Sequence, residues 1–105
     1  MRGVMLSTGD WHVRAYLAET FADRLLGNRR APAGAGVMIR TRSVHTFGQR
    51  SPIEVVGLDG LMRVVATRTL APNRIGVLRS ARVIVELPAG SPLPAIHDRV
   101  EMSDG

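Results

Sequence analysis

The dipeptide Asp59-Gly60 sits between two apolar runs, Ile53–Leu58 and Leu61–Leu70. Asp-Gly suits the two positive-φ positions of a type I′ turn, whose twist matches that of two paired strands. An antiparallel hairpin is therefore expected in the middle of the chain, and the rest of the sequence must fold around it. The flanking sequence repeats the theme. Gly3–Leu6 and Trp11–Tyr16 are short apolar runs separated by Ser7-Thr8-Gly9-Asp10, residues that favour tight turns. Val37–Ile39, Val44–Gly48, Ile75–Leu78, Arg82–Leu87 and Arg99–Met102 complete the series. In Arg82–Leu87 the residues Val83, Val85 and Leu87 fall on one face and Arg82, Ile84 and Glu86 on the other. Eight or nine short strands predict a mainly β fold, an antiparallel β-sandwich or barrel.

One segment reads as a helix. Thr20 can cap it, Asp23 follows three residues later, and Phe21 to about Leu26 has the i, i+4 spacing of an apolar face. Gly27-Asn28 then stops it in the left-handed manner. Ala31 to Gly36 is a loop by its proline and glycine content.

A chain of 105 residues is the length of one domain. The single β-rich domain is expected to span 1–105. It contains no cysteine, which excludes disulfides, thiolate metal sites and a cysteine nucleophile. No run approaches the roughly eighteen apolar residues of a membrane span, and the first residues lack a signal-peptide core, so a cytoplasmic location is expected. The net charge of +5 comes from fourteen arginines and no lysine. Residues 24–53 hold six of them (Arg24, Arg29, Arg30, Arg40, Arg42, Arg50) and no acid. Such a basic middle third attracts anionic partners.

The segment from Arg42 to Asp59 reads R-S-V-H-T-F-G-Q-R-S-P-I-E-V-V-G-L-D. Further on come Pro72-Asn73-Arg74 and the strand end Glu86-Leu87-Pro88-Ala89-Gly90. In order and spacing these elements resemble the uncharacterised family called domain of unknown function 192, over about residues 17–102. Three positions depart from that pattern: Gln49 stands for a methionine, Glu54 for an aspartate, and His97-Asp98 for Gly-Asp. The resemblance implies a jelly-roll-like sandwich with one helix, and it implies no activity.

The residues themselves then nominate a site. His12, His45 and His97 form no i, i+2 or i, i+4 pair, so no local metal chelate is visible and neither metal nor cofactor is expected. His45-Thr46, flanked by Val44 and Phe47, reads as a strand entering the core. Its histidine has acid–base potential; the plainer alternative is that both residues satisfy backbone groups. Glu86, on an apolar strand, calls for an arginine partner, with Arg50 and Arg74 as candidates, because an unpaired buried charge is costly. The candidate polar cluster is thus His45, Thr46, Arg50, Glu54, Arg74 and Glu86. No G-x-S-x-G elbow, P-loop or G-x-G-x-x-G is present. Four scattered aromatics make a poor stacking platform for nucleic acid. The expected function is a non-enzymatic binding or interaction module for a protein partner or a small polar or anionic ligand. The alternatives are a hydrolase using His45 with Glu54 or Glu86, and an arginine-dependent anion or nucleic-acid binder.

Overall fold

Alternation of side chains along short strands sets the architecture. The computed structural model describes residues 2–19 and 34–104. They form nine strands: β1 (Arg2–Thr8), β2 (Trp11–Leu17), β3 (Gly36–Ile39), β4 (Ser43–His45), β5 (Ile53–Leu58), β6 (Val64–Leu70), β7 (Ile75–Val77), β8 (Val83–Pro88) and β9 (Glu101–Asp104). Each strand overlaps a segment expected to form one, β4 and β9 by two residues only. The helix expected at Phe21–Leu26 lies outside the described residues, among which there is no helix.

Seven strands make one sheet in the order β6-β5-β8-β3-β2-β1-β9, and β4 and β7 make a separate two-stranded ribbon. The expectation of an all-antiparallel fold is corrected at one ladder. β2 and β3 run parallel, with Ala15 opposite Gly36 and Leu17 opposite Met38. Eighteen residues, 18–35, separate these strands, and a connection of a dozen or more is what a parallel pairing needs. Among the described residues, the ribbon packs against one face of the large sheet. Val44 buries its side chain with Ile53, Val55, Leu70, Leu78, Ala81 and Ile84 on one face of the large sheet.

The other face carries the larger core. Val4, Leu6, Ala15, Met38, Val56, Leu58, Val64, Val85, Leu87 and Val100 form one buried cluster that draws on β1 at one side of the sheet and β6 at the other. The sheet therefore curls around these side chains, each of which stabilises the fold by about 1–3 kcal/mol on burial. Residues 97–104 strap the two sides together. β9 pairs with β1, Arg99 bridges to Arg63 just before β6, and the Val100 N–H donates to the Met62 carbonyl at 2.8 Å.

The turn at Asp59-Gly60 is a hairpin, but not of the two-residue type. The Met62 N–H donates to the Asp59 carbonyl, the Asp59 N–H donates to the Arg63 carbonyl, and Met62 occupies the left-handed region at φ 63°. This is a type I turn followed by a left-handed residue. The Asp59 carboxylate decides the outcome by accepting from the Leu61 N–H at 2.8 Å and the Arg63 N–H at 2.9 Å. Those bonds, the Arg63 backbone bond first, hold the Asp59 carboxyl below its usual pKa of 3.8.

Gly57 of β5 lies under the loop between β7 and β8. A Cβ there would fall 2.9 Å from Leu78 Cδ1 and 3.1 Å from Ala81 Cβ, so the close approach requires glycine.

Candidate functional site

The six sequence-nominated residues are not brought together at one place. Thr46 and Arg74 meet at the end of the ribbon. Thr46 is fully buried. Its hydroxyl donates to the Ala71 carbonyl at 2.6 Å and accepts from the Arg74 N–H at 2.9 Å. Its backbone N–H donates to the Arg74 carbonyl, and its carbonyl accepts from the Asn73 and Gln49 N–H groups. Thr46 thus satisfies the backbone of two turns at once, which is the plainer of the two readings drawn from sequence. The Arg74 side chain is exposed, as is that of Arg50.

Glu54 and Glu86 occupy a second and a third place. They sit on adjacent strands, but Glu54 is opposite Leu87 while Glu86 is opposite Val55. Directly paired residues share a face. Glu54 therefore lies on the side of Leu87 and the larger core, and Glu86 on the side of Val55 and Ile84. Both carboxylates are buried. Glu54 accepts from the Thr69 hydroxyl at 2.5 Å and from the Gly90 N–H at 2.7 Å. These two bonds, Thr69 first, hold its carboxyl below the usual 4.5, with desolvation opposing them. Glu86 is also engaged, but among the described residues neither Arg50 nor Arg74 forms an ion pair with it.

His45 stands apart from both acids. It is exposed on the outer face of the ribbon, opposite Ile75, and its ring stacks on Phe47 with centroids 5.2 Å apart and planes 24° from parallel. Among the described residues no hydrogen bond or ion pair joins His45 to Glu54 or Glu86. Likewise, no group of three or more histidine, aspartate or glutamate side chains among them could hold a metal ion.

Ribbon geometry explains the outward histidine. Val44 and Gly76 form a pair and face inward, where Gly76 lies against Leu70. By alternation Ser43, His45, Ile75 and Val77 face outward. Phe47, expected to enter the core beside Val44, is 55% exposed; Ile75 is 64% and Val77 48% exposed. These three apolar residues were missed as surface features. The signal was the alternation Ile75-Gly76-Val77, in which glycine marks the side that must approach another element.

Around this apolar centre the chain is basic. The described segments 34–53 and 60–85, which supply β4, β6, β7 and their loops, contain no acidic residue. Arg42, Arg50, Arg74 and Arg79 are exposed at the ends of the ribbon strands and in the loops beside them. The structure therefore assembles an exposed apolar face with a cationic border.

Comparison with known proteins follows the same division between fold and function. No protein-family model matches the sequence. The fold is similar to that of a Sinorhizobium meliloti protein provisionally described as a transcription regulator, with TM-score 0.70 and 21% identity over 96% of this chain and 92% of that one. It is also similar to a protein of unknown function from Novosphingobium aromaticivorans, with TM-score 0.67 and 15% identity over 94% of this chain and 83% of that one. At these identities the likeness concerns the fold alone. A UPF0127 protein of Pyrococcus horikoshii is 35% identical over 102 residues, covering 87% of this chain and 89% of the relative. The chain belongs to the UPF0127 family.

Proposed function

We propose that this protein is a non-enzymatic binding module whose recognition surface is the outer face of the β4–β7 ribbon, and that its occupant is an acidic, partly apolar segment of a protein partner. The observation that carries this reading is the juxtaposition of exposed Phe47, Ile75 and Val77 with the stacked His45 and a border of arginines. Protein interfaces favour such a make-up, aromatic and aliphatic anchors at the centre and arginine among the enriched residues. The acid-free border would steer an acidic partner and fix its orientation. A nucleic acid fits less well, because among the described residues this face carries only the stacked pair His45 and Phe47, and base stacking requires a longer series of rings.

Within the nominated cluster, His45 would contribute to the contact itself. Arg50 and Arg74 would supply charge, and Thr46 would hold the ribbon end. Glu54 and Glu86 would serve the frame. A hydrolase built on His45 with Glu54 or Glu86 is not favoured, since His45 is on the outer face of the ribbon against Phe47 and Ile75, away from both acids. The resemblance to domain of unknown function 192 enters this reading through Arg42–Asp59, the segment that supplies β4, Phe47 and β5. The cytoplasmic location and the single domain over 1–105 complete it. Among the described residues no helix is long and apolar enough to cross a membrane.

The test is a fluorescence titration with a synthetic peptide of alternating glutamate and leucine, alongside a single-stranded DNA of equal charge. Saturable peptide binding should weaken with added salt and be lost in the double variant Phe47→Ser, Ile75→Ser, which changes exposed residues only. Equal binding by the DNA, or full retention by the double variant, would overturn the proposal.

A further inference from the structure

Beside the ribbon lies a second feature, which shares Val77 and Arg79 with the surface above but is read from its own lining. The ribbon-side face of β6 and the turn that follows β7 line an open depression of about 300 Å³. Val65, Val77 and Leu78 give it an apolar lining, while Arg68, Arg79 and Ser80 supply polar groups. Two different elements contribute the arginines. Arg68 lies on β6 opposite Val55, hence on the face that the ribbon covers, and Arg79 sits in the turn closed by the Ala81 N–H donating to the Leu78 carbonyl at 2.9 Å.

Neither arginine side chain has an ion-pair or hydrogen-bond partner among the described residues, and the Ser80 hydroxyl has none either. The nearest sequence offers no acid, since 60–85 is acid-free. Two exposed guanidinium groups thus line one depression with no acid among its lining residues. Guanidinium presents paired N–H donors that match the oxygens of a phosphate or carboxylate. A serine hydroxyl adds a donor. The volume is larger than a bare oxyanion fills and lies at the lower end of the range for small-molecule sites, and its lining is partly apolar.

From this geometry we infer that the depression formed by Arg68, Arg79 and Ser80 binds a small organic oxyanion, with the anionic group between the two arginines and a compact apolar body against Val65 and Leu78. Free metabolites bearing a phosphate monoester and those bearing a carboxylate share this chemistry.

The experiment uses the full chain labelled with nitrogen-15, titrated at constant ionic strength with inorganic phosphate, phenyl phosphate and benzoate. Saturable amide shifts are expected for residues 65–68 and 77–81 with at least one of the two aromatic anions. That anion should bind at least about threefold more tightly than inorganic phosphate because it also covers the small apolar part of the lining. Which one binds more tightly distinguishes a phosphate site from a carboxylate site. Arg68→Gln and Arg79→Gln should each weaken binding by about tenfold through loss of a charge-assisted contact, whereas Arg99→Gln, at the Arg63 bridge, should leave it unchanged. Shifts that fail to saturate, that spread over all exposed arginines, or that persist in Arg79→Gln would overturn the assignment. All these side chains are exposed, and the amide spectra report directly that each variant remains folded.

Discussion

Thr46 and Arg74 hold each other by two hydrogen bonds: the Thr46 N–H donates to the Arg74 carbonyl and the Arg74 N–H donates to Thr46 Oγ1, both at 2.9 Å. With the bond from the same hydroxyl to Ala71, one buried side chain orders both the end of β4 and the turn that leads into β7. Thr46→Val keeps the shape but strands those groups, so it should destabilise the fold by about 1–3 kcal/mol. Thr46→Ser should recover most of that loss. Urea denaturation of the three proteins checks the order; equal midpoints for valine and serine would refute the role given to the hydroxyl.

Acid should act through Glu54. Its folded pKa lies below the ordinary 4.5 because the charged form is hydrogen-bonded to Thr69 and Gly90. A depressed folded pKa contributes stability that is fully present above the unfolded value and is lost as pH falls through the folded one. Stability should therefore be level above about pH 5.5 and decline below 4.5. Glu54→Gln should cost about 1–3 kcal/mol at neutral pH and flatten part of that decline, Asp59 supplying much of what is left. Thermal melts between pH 3 and 7 measure both effects.

Gly57 is a steric prediction. Gly57→Ala places a methyl group against Leu78 and Ala81, and such overpacking costs about 1–3 kcal/mol. A second change, Leu78→Ala, should partly relieve the clash, so the double variant is expected to be more stable than the sum of the two single losses. Simple additivity would mean that the loop shifts freely.

Met62 tests the hairpin. Its φ of 63° is tolerated by an unbranched side chain at some cost. Met62→Ile keeps a similar volume but introduces branching at Cβ and should lower stability by about 1–2 kcal/mol. Met62→Leu should be close to neutral, and a differential scan of the two variants separates backbone strain from lost packing.

Strand positions were largely legible in the sequence, since each needs only local alternation and turn residues. Ile53–Leu58 has the bounds expected of it, and Val85 and Leu87 face away from Ile84 as their spacing requires. What depends on pairing between distant segments was not legible. The parallel register of Ala15 with Gly36 has no local signature. The separation of Glu54 from Glu86 follows from the register of β5 on β8, which places neighbours of similar chemistry on opposite faces. Phe47 misled for a related reason: an apolar residue next to a buried valine looks like core until the partner strand shows which side is covered. At Asp59-Gly60 the dipeptide announced a hairpin, and the aspartate side chain then chose its length.

The strap formed by residues 97–104 has a consequence for biosynthesis. Chains are made from the N-terminus, so β1 and β6 leave the ribosome before the segment that joins their margins. Until it arrives, a nascent chain presents unpaired backbone along β1 and at the start of β6, which is the condition that invites pairing with another copy. The demand for chaperone protection should thus fall once this segment docks.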